Sequence, residues 1–336
     1  TSHISNPAPN IIIRLIYAIK RFIRFLKILI SDRPNVALIF CSDGLSAIEK
    51  SLMIVFCKNF DCKTLIFPRA GNLMKQFKSN KLFSAFISKG FKKTDIFLCQ
   101  GQSWEQFAIN GIGIPKEKTR IIKNWSATKE LIQVGKSRRF NQESKRKELI
   151  FVGWLEESKG VFELLESIRV LSQNKKNNLH LSMIGDGNAF DEAEVFIKKH
   201  SLEKYISLLG WRTHEEIIDF LTKSDIFVLP SWAEGFPNSV IEGMASGNAI
   251  ITTKVGVIPD ILTHNKNCLL VEPRDQKGLD NSIKSLISDE NLIKVLPNFD
   301  GCTLRVSKLN EKIMSNCKKL KVISRHGVGY DNVDLD

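Results

Sequence analysis

The sequence predicts an α/β protein built from two parallel-sheet domains that follow one another along the chain. Short apolar runs alternate with segments of helical periodicity, as strands and helices do when a parallel sheet is covered on both faces. The alternation occurs twice, and a polar, highly charged segment at residues 136–147 separates the two series. A chain of 336 residues, 43% of them hydrophobic, is long enough for two such domains.

The first series gives a domain at residues 1–135. Its apolar runs predict strands at residues 36–41, 63–67, 95–99 and 120–122. Its helical segments are residues 11–31, 45–60, 80–92 and 103–110. Residues 136–147 are then the interdomain linker.

The second series gives a domain at residues 148–296. Its predicted strands are residues 148–152, 179–184, 206–209, 226–229, 249–253 and 268–271. Its predicted helices are residues 161–173, 190–200, 214–222, 237–246 and 276–296.

The net charge of +13 is concentrated in the first half of the chain. Residues 1–148 hold 27 Lys and Arg against 10 Asp and Glu, whereas residues 149–336 hold 22 against 26. A basic half beside a mildly acidic one indicates an anionic partner for the first domain. Nucleic acid is not favoured as that partner, because the sequence contains no module of interleaved basic and aromatic residues.

The helix at residues 11–31 combines a basic arc with isoleucines. At 100° per residue, its basic side chains fall within roughly 140°; they are Arg14, Lys20, Arg21, Arg24 and Lys27. The apolar positions Ile12, Ile16, Ile19, Ile23, Leu26 and Ile30 occupy much of the rest. This pattern fits a helix lying on an anionic membrane. It equally fits a core helix with a solvated basic edge, and the two interpretations are compatible.

The sequence also bears on the cellular location of the protein, the state of its cysteines and its capacity to bind metals. No run of about 18 uncharged apolar residues predicts a bilayer span, and no signal peptide is visible. We expect a cytoplasmic protein, peripheral on the inner face of the membrane. Seven cysteines, an odd number with no CxxC pair, predict buried free thiols. The six histidines are scattered without ligand spacing, so no metal is expected.

The stretch Ser224 to Leu262 carries the clearest chemical signal. A buried strand ends at Pro230, a helix begins near Pro237, and Gly247 suits its left-handed end. A helix N-terminus attracts phosphate, and Gly235 lets a ligand approach the backbone. The acids Glu234 and Glu242 flank the helix start.

The two carboxylates are not expected to bind the phosphate itself, because carboxylate and phosphate are both negatively charged and repel each other. Carboxylates suit pairs of vicinal hydroxyls, as on sugars and ribose. The stretch therefore fits a sugar–diphosphate–ribose ligand. An ordinary strand–helix–strand unit whose acids favour the helix dipole explains the same residues.

Residues 148–296 resemble the donor-binding domain of the family 4 glycosyltransferases, retaining enzymes of the GT-B fold. The resemblance rests on six segments in order: FVGWLEESKG, MIGDG, LLGW, SDIFVLPSWAEGFPNSVIEGMASG, TTKVGVIPDI and CLLVEPRD. It implies two Rossmann-like domains whose parallel sheets face each other across a cleft. Residues 11–148 resemble, more loosely, the later half of the acceptor-binding domain, which would make the first domain N-terminally truncated.

The resemblance implies a role for each site residue. Lys159 and Gly153 match the family's diphosphate contacts, Glu242 the acid on the ribose hydroxyls, and Glu234 the acid facing the donor sugar. The backbone of Gly235, Phe236, Pro237 and Asn238 would cap the phosphates. Trp211 and Arg212 lie where the family holds the base, although Trp211 also fits a core aromatic. Glu234 and Lys159 are the expected catalytic residues.

Two departures from the family pattern affect the expected chemistry. Trp154 stands where many members place an arginine, which leaves more of the diphosphate charge to Lys159 and the helix. Arg69-Ala70-Gly71 stands where many members carry a histidine, so no catalytic histidine is assigned. Arg69 becomes a candidate contact for an anionic acceptor or leaving group.

The C-terminal tail, residues 297–336, resembles a fragment of the substrate domain of D-2-hydroxyacid dehydrogenases. The similarity lies in TLRVSKL and LKVISRHGVGYDNVDLD. That family's GxGxxG loop and catalytic residues lie beyond the segment, so Gly327 to Gly329 is not a cofactor loop. Two unrelated patterns meeting near residue 297 suggest a joined or misassembled chain. A continuous reading frame across residue 297 in one DNA molecule would contradict that hypothesis.

The sequence thus predicts a retaining hexosyltransferase acting in polysaccharide biosynthesis. It would move a hexose from a nucleoside-diphosphate sugar to a polysaccharide or lipid-linked acceptor, with no cofactor and no nucleic acid. A non-catalytic nucleotide-sugar-binding fragment is the alternative from a different class. An NAD-dependent dehydrogenase is supported by the tail alone.

Overall fold

The computed structural model describes residues 10–124, 126–137, 146–174, 178–287, 301–304 and 322–325. These residues form two compact units. The first contains the chain up to Asn124, together with the two later loops Ala233–Phe236 and Val255–Ile261. The second contains the remainder. The chain thus leaves the first unit before the predicted linker at residues 136–147.

The first unit contains a four-stranded parallel sheet in the order β1-β2-β3-β4. Its strands are β1 (Val36–Cys41), β2 (Lys63–Pro68), β3 (Ile96–Cys99) and β4 (Thr119–Ile121). Its helices are α1 (Ile11–Ser31), α2 (Leu45–Asn59), α3 (Asn72–Ser79), α4 (Lys81–Phe91) and α5 (Gln102–Gln106). A π-helical turn, Phe107–Ile112, continues α5. Strands that are consecutive in sequence are neighbours in the sheet. Because all four strands are parallel, their carboxyl ends lie at the same edge.

Helix α1 packs against α2 through only one of its faces. Leu29 is buried with Cys57 and Cys62, and Phe22 meets Phe56 edge to face at 5.5 Å. Arg21 makes a two-pronged contact with Glu49, with Nε–Oε1 at 2.8 Å and Nη2–Oε2 at 2.6 Å. The prediction of a core helix therefore holds for this face.

The second unit contains a six-stranded parallel sheet in the order β10-β9-β8-β5-β6-β7. Its strands are β5 (Lys147–Val152), β6 (Leu179–Ile184), β7 (Ile206–Gly210), β8 (Ile226–Leu229), β9 (Ala249–Thr253) and β10 (Leu269–Val271). The chain moves outward from β5 in one direction and from β8 in the other. The order therefore reverses between β5 and β8, the point at which open α/β sheets bind ligands.

The described part of the second unit has six α-helices. They are α6 (Lys129–Ser137), α7 (Val161–Ser172), α8 (Phe190–Lys199), α9 (His214–Lys223), α10 (Asn238–Ala245) and α12 (Gln276–Ile287), and one further helix is α11 (Ile258–Ile261). The short helix α11 follows β9 in sequence but lies in a loop of the first unit. Four-residue runs such as Ile226–Leu229 are buried at every position, as expected for central parallel strands.

The two-domain α/β prediction is confirmed, and the predicted strands lie within two residues of the observed ones. Three helices were not predicted: α3, α6 and α11. α6 contains Lys136 and Ser137, the first two residues of the predicted linker, and linker residues 138–145 lie outside the described residues. Tertiary packing holds α6, because Gly135 lies so close to the Ala245 carbonyl that an added Cβ would stand 2.1 Å from it.

In the tail, β11 (Gly301–Leu304) pairs in parallel with β12 (Val322–Arg325). Residues 288–296, predicted as the end of a helix, and Gly327 to Gly329 lie outside the described residues. The prediction of free, buried cysteines is confirmed for Cys41, Cys57, Cys62, Cys99 and Cys268. Burial raises the pKa of the Cys99 thiol to about 12.

Candidate functional site

The loops that follow β5 and β6, next to the switch point of the second unit, meet through close backbone contacts. Gly153 follows β5 and donates its N–H to Ile184 O at 3.0 Å. Gly185 follows β6 at φ 142°, and a Cβ there would stand 1.8 Å from Gly153 O. Only glycine fits at Gly185, so this part of the strand edge presents backbone rather than side chains.

Lys159 is held by the turn that connects β5 to α7. It ends a 3₁₀ turn, Glu157–Lys159, and its N–H bonds Glu156 O at 2.9 Å. Gly160 adopts φ 71°, and a Cβ there would stand 2.3 Å from Pro230 O. The lysine backbone is therefore fixed against the end of β8, beside the switch point.

Helix α10 begins after Pro237, which has φ −72° and no side-chain oxygen to cap the first turn. The first turn holds no acidic residue. Asn238 O accepts a hydrogen bond from Ser126 Oγ at 3.0 Å. Gly243 lets the helix approach β8 so closely that a Cβ would stand 2.7 Å from the Phe227 ring. The positive end of α10 is thus fixed at the carboxyl end of β8.

Glu242 lies on α10, one turn into the helix, and is half-buried. Burial raises the pKa of its carboxyl above 4.5, and the neighbouring His214 opposes that rise. A carboxylate kept partly out of water at a ligand edge is a strong hydrogen-bond acceptor, because few solvent molecules compete for it.

The loop carrying Glu234, Gly235 and Phe236 belongs to the first unit. A Cβ on Gly71 would stand 1.9 Å from Glu234 O, and one on Gly235 would stand 2.2 Å from Arg69 O. Phe236 O accepts from Asn124 Nδ2 at 2.9 Å. The structure therefore brings Arg69 and the Glu234 loop together at the carboxyl ends of β2 and β3.

Arg69 keeps its charged side chain at this edge. Its guanidinium lies 4.9 Å from the centre of the Phe67 ring, and partial burial lowers its pKa. Arg69 remains fully protonated at physiological pH. A cation held over an aromatic ring is suited to an anionic ligand group.

Trp211 and Arg212 follow β7. This strand lies at the edge of the sheet, and β5 and β6 lie between it and β8. Trp211 is 70% exposed, so the core-aromatic interpretation is wrong. Gly210 precedes it at φ 67°. Arg212 donates from Nη1 to Trp211 O at 3.0 Å and lies 3.8 Å from Glu216 Oε1. An exposed indole beside a fixed guanidinium offers a flat stacking surface.

Three further residues were not identified from the sequence. Gln100, at the end of β3, is 1% exposed, and neither polar atom of its side chain has a hydrogen-bond partner in the described structure. Trp232 and Arg274 stack, with the guanidinium carbon 3.9 Å from the ring centre. The sequence signal that could have identified them is their position, because each lies within a few residues of the end of a predicted strand.

Within the described ranges, no group of three or more His, Cys, Asp or Glu side chains could hold a metal ion. Helices in the same ranges include none that is long and apolar enough to cross a membrane.

Residues 135–298 match the family model for "Glycosyl transferases group 1". This part of the chain is therefore similar to the group 1 glycosyltransferases. The match spans β5 to α12, which carry Gly153, Lys159, Pro237 and Glu242. The glycosyltransferase resemblance of the sequence is thereby confirmed for the second unit.

Known proteins resemble this chain in sequence or in fold. The uncharacterized glycosyltransferase MJ1178 of Methanocaldococcus jannaschii is 32% identical over 174 residues, covering 49% of this chain and 48% of that protein. The chain thus spans about half the length of this curated relative. The lipopolysaccharide outer core galactosyltransferase WaaB superposes with a TM-score of 0.59 at 18% identity, over 84% of this chain and 74% of WaaB.

HepE of Anabaena, solved in complex with UDP and glucose, superposes with a TM-score of 0.58 at 17% identity. That match covers 75% of this chain and 68% of HepE. At such identities the similarity concerns the fold, and the α/β GT-B prediction is confirmed.

A second family model, "D-isomer specific 2-hydroxyacid dehydrogenase, catalytic domain", matches residues 261–336. The dehydrogenase resemblance of the tail is therefore confirmed. This match begins before residue 297 and overlaps the glycosyltransferase match between residues 261 and 298.

We expect Glu242→Gln to raise the free energy of unfolding at pH 7, because the folded state keeps a charged carboxylate partly out of water. The folded pKa of Glu242 is raised, so this penalty exists above that pKa and disappears once the carboxyl is protonated in both states, below 4.5. Urea unfolding at pH 7 and pH 4 measures it: the gain should be present at pH 7 and shrink toward zero at pH 4. Exposed Glu203→Gln is the control, and a gain independent of pH contradicts the prediction.

Proposed function

We propose that this protein is a retaining hexosyltransferase that uses a nucleoside-diphosphate sugar as donor. The proposal is carried by one observation: the positive end of α10, the glycine-built loop of Gly153 and Gly185, and the turn of Lys159 all lie at the carboxyl edge of one parallel sheet. A dianionic diphosphate matches that edge, because helix N-termini and lysines both stabilise phosphate.

Each residue has a role in this proposal. Lys159 and the N–H groups of α10 stabilise the negative charge that develops on the diphosphate. The bond from the anomeric carbon to the phosphate oxygen breaks, and its electron pair leaves with the nucleoside diphosphate. An acceptor hydroxyl forms the new bond with retained configuration and gives its proton to the oxygen of the departing diphosphate.

The two acids and the aromatic complete the donor contacts. The Glu242 carboxylate accepts hydrogen bonds from the ribose hydroxyls, and Glu234 accepts them from the hexose. Trp211 and Arg212 face the base. No metal takes part in the proposed reaction, since Lys159 and the helix dipole supply the positive charge. Arg69 contacts an anionic acceptor or leaving group.

A donor should stabilise the protein against heat. We expect one of UDP-glucose, UDP-galactose, UDP-N-acetylglucosamine, GDP-mannose and ADP-glucose to raise Tm, since a ligand at 100 times its Kd stabilises by about 2.7 kcal/mol. Lys159→Ala and Glu242→Ala should each raise Kd by about tenfold or more, the range for a lost charge-assisted hydrogen bond. Calorimetric titration measures Kd.

Lys199→Ala, on the exposed face of α8, is the matched control and should leave Kd unchanged. No stabilisation by any of the five donors would contradict the proposal. Product analysis by NMR then separates the two function classes. Sugar transfer or slow donor hydrolysis identifies an enzyme, and an inverted anomeric product excludes retention. Tight binding without turnover identifies the nucleotide-sugar-binding alternative.

The acceptor is proposed to be a polysaccharide or lipid-linked glycan at the cytoplasmic face of a membrane. Helix α1 supports the membrane part, because five of the isoleucines that its packed face leaves exposed line up along the helix. Ile12, Ile16, Ile19, Ile23 and Ile30 are between 44% and 66% exposed. At 100° per residue they fall within about 60° of one another. This isoleucine stripe is separate from the Phe22–Leu29 core face.

Basic residues border the isoleucine stripe. Lys20, Arg24 and Lys27 lie on the side away from the core face, and α1 contains no acidic residue. Arg21 is already paired with Glu49, so the remaining cations are the ones available to lipid phosphates. An apolar stripe beside cations fits the interface of an anionic bilayer.

We expect the protein to bind phosphatidylglycerol-containing vesicles more tightly at low salt than at high salt, and pure phosphatidylcholine vesicles weakly. Replacing Ile16, Ile19 and Ile23 together by glutamine should weaken vesicle binding by at least about tenfold, because each buried isoleucine contributes roughly 1.5–3 kcal/mol. Vesicle sedimentation measures this. Leu82→Gln, at an 85% exposed position on α4, is the control. Sedimentation without lipid or salt dependence contradicts the membrane proposal.

A further inference from the structure

Trp232, Glu163 and Arg274 form a clamp in the second unit that the glycosyltransferase assignment does not explain. Trp232 follows β8, Glu163 lies in the first turn of α7, and Arg274 follows β10. All three come from the carboxyl edge of the same sheet. The clamp therefore links the loop after β8, the start of α7 and the loop after β10.

The clamp is held by specific contacts of the Trp232 side chain. Its Nε1–H donates to Glu163 Oε1 at 2.7 Å. The Arg274 guanidinium carbon lies 3.9 Å from the ring centre, close enough for a strong cation–π contact. Gln276 holds the backbone of Glu163, because Gln276 Nε2 donates a hydrogen bond to Glu163 O at 3.0 Å.

The backbone of Trp232 connects the clamp to the Lys159 turn. Its N–H donates to Ser158 O at 2.8 Å, directly before Lys159. On the other side of Lys159, Gly160 lies against Pro230 O. A shift of the Trp232 backbone would thus move Ser158, and with it Lys159.

Arg274 adopts a backbone conformation that favours glycine. Its φ is 65°, which costs an ordinary side chain free energy that glycine would not lose. The Arg274 guanidinium also makes no hydrogen bond or ion pair within the described ranges, and its aromatic contact is with Trp232. The positive φ of Arg274 coincides with its contact on Trp232, so the side chain of a strained residue is part of the clamp.

We propose that the Trp232–Glu163–Arg274 clamp positions Lys159 for the donor diphosphate, with Arg274 as a positioning residue that acts through Lys159. The inference rests on the proposed function, since it assigns Lys159 to the diphosphate. It adds that the affinity for the donor is set partly by an arginine that does not touch it.

Arg274→Gly separates folding from function, because it removes the side chain and relieves the backbone at once. We expect Tm to be unchanged or raised. Kd for the donor that binds wild-type protein should rise about tenfold, since a small misplacement of a binding group weakens its contact. Trp232→Phe, which removes the Nε1–H donor, should raise Kd similarly, and Arg274→Lys should recover part of the loss.

Arg33→Gly is the matched control. Arg33 is also an arginine at positive φ, 42°, and lies in the first unit between α1 and β1. It should raise Tm without changing Kd. An equal change of Kd in both glycine variants would overturn the proposal.

A double-mutant cycle tests whether Arg274 acts through Lys159. If it does, Lys159→Ala combined with Arg274→Gly should bind the donor no more weakly than Lys159→Ala alone. Losses that multiply would mean that Arg274 affects donor binding independently of Lys159, and would overturn the positioning role.

Amide hydrogen exchange without nucleotide tests the clamp independently of the donor. Exchange at residues 158–163 should accelerate in Arg274→Gly and Trp232→Phe but not in Arg33→Gly. Unchanged exchange in the first two variants overturns the clamp even if donors bind. Failure of wild-type protein to bind any of the five donors contradicts the proposed function instead, so the two failures are distinguishable.

Discussion

Parallel pairing is the constraint on which the candidate site depends. Because all strands of a parallel sheet run the same way, every loop that follows a strand emerges at one edge. The six strands of the second unit therefore deliver Gly153, Gly185 and the start of α10 to the same place, although they are far apart in sequence. Backbone contacts then complete the edge, since a side chain at Gly185 or Gly160 would collide with a carbonyl. Glycine at these positions brings the strand-end loops into contact without leaving room for side chains.

Burial acts differently on the ionisable groups of this protein. The Cys99 thiol is buried among apolar side chains, and its pKa of about 12 keeps it neutral and unreactive. Glu242 is only half-buried, so burial raises its pKa while part of its side chain stays exposed. Arg69 remains charged despite partial burial. The groups that remain useful for binding are thus those held at the sheet edges rather than in the cores.

Helix α1 has two apolar faces in different environments: one packs against α2 and the other is exposed. Its aromatic face contributes to the core with α2, and Arg21 is held by Glu49. Its isoleucine stripe contributes nothing to that core and lies beside cations. The sequence pattern could not separate these faces, because both are apolar and a helical period does not reveal which one meets a neighbour. The packing of Phe22 and Leu29 decides it.

The sequence by itself determined the α/β class, the strand positions and the glycosyltransferase character of the second unit. These follow from local patterns, namely apolar runs, glycine turns and the order of motifs. Only the tertiary structure decided that the Glu234 loop belongs with Arg69 in the first unit, that α6 is a helix, and that Trp232 is clamped by Arg274. Each of these depends on contacts between residues distant in sequence, and no local pattern records which distant residues will meet.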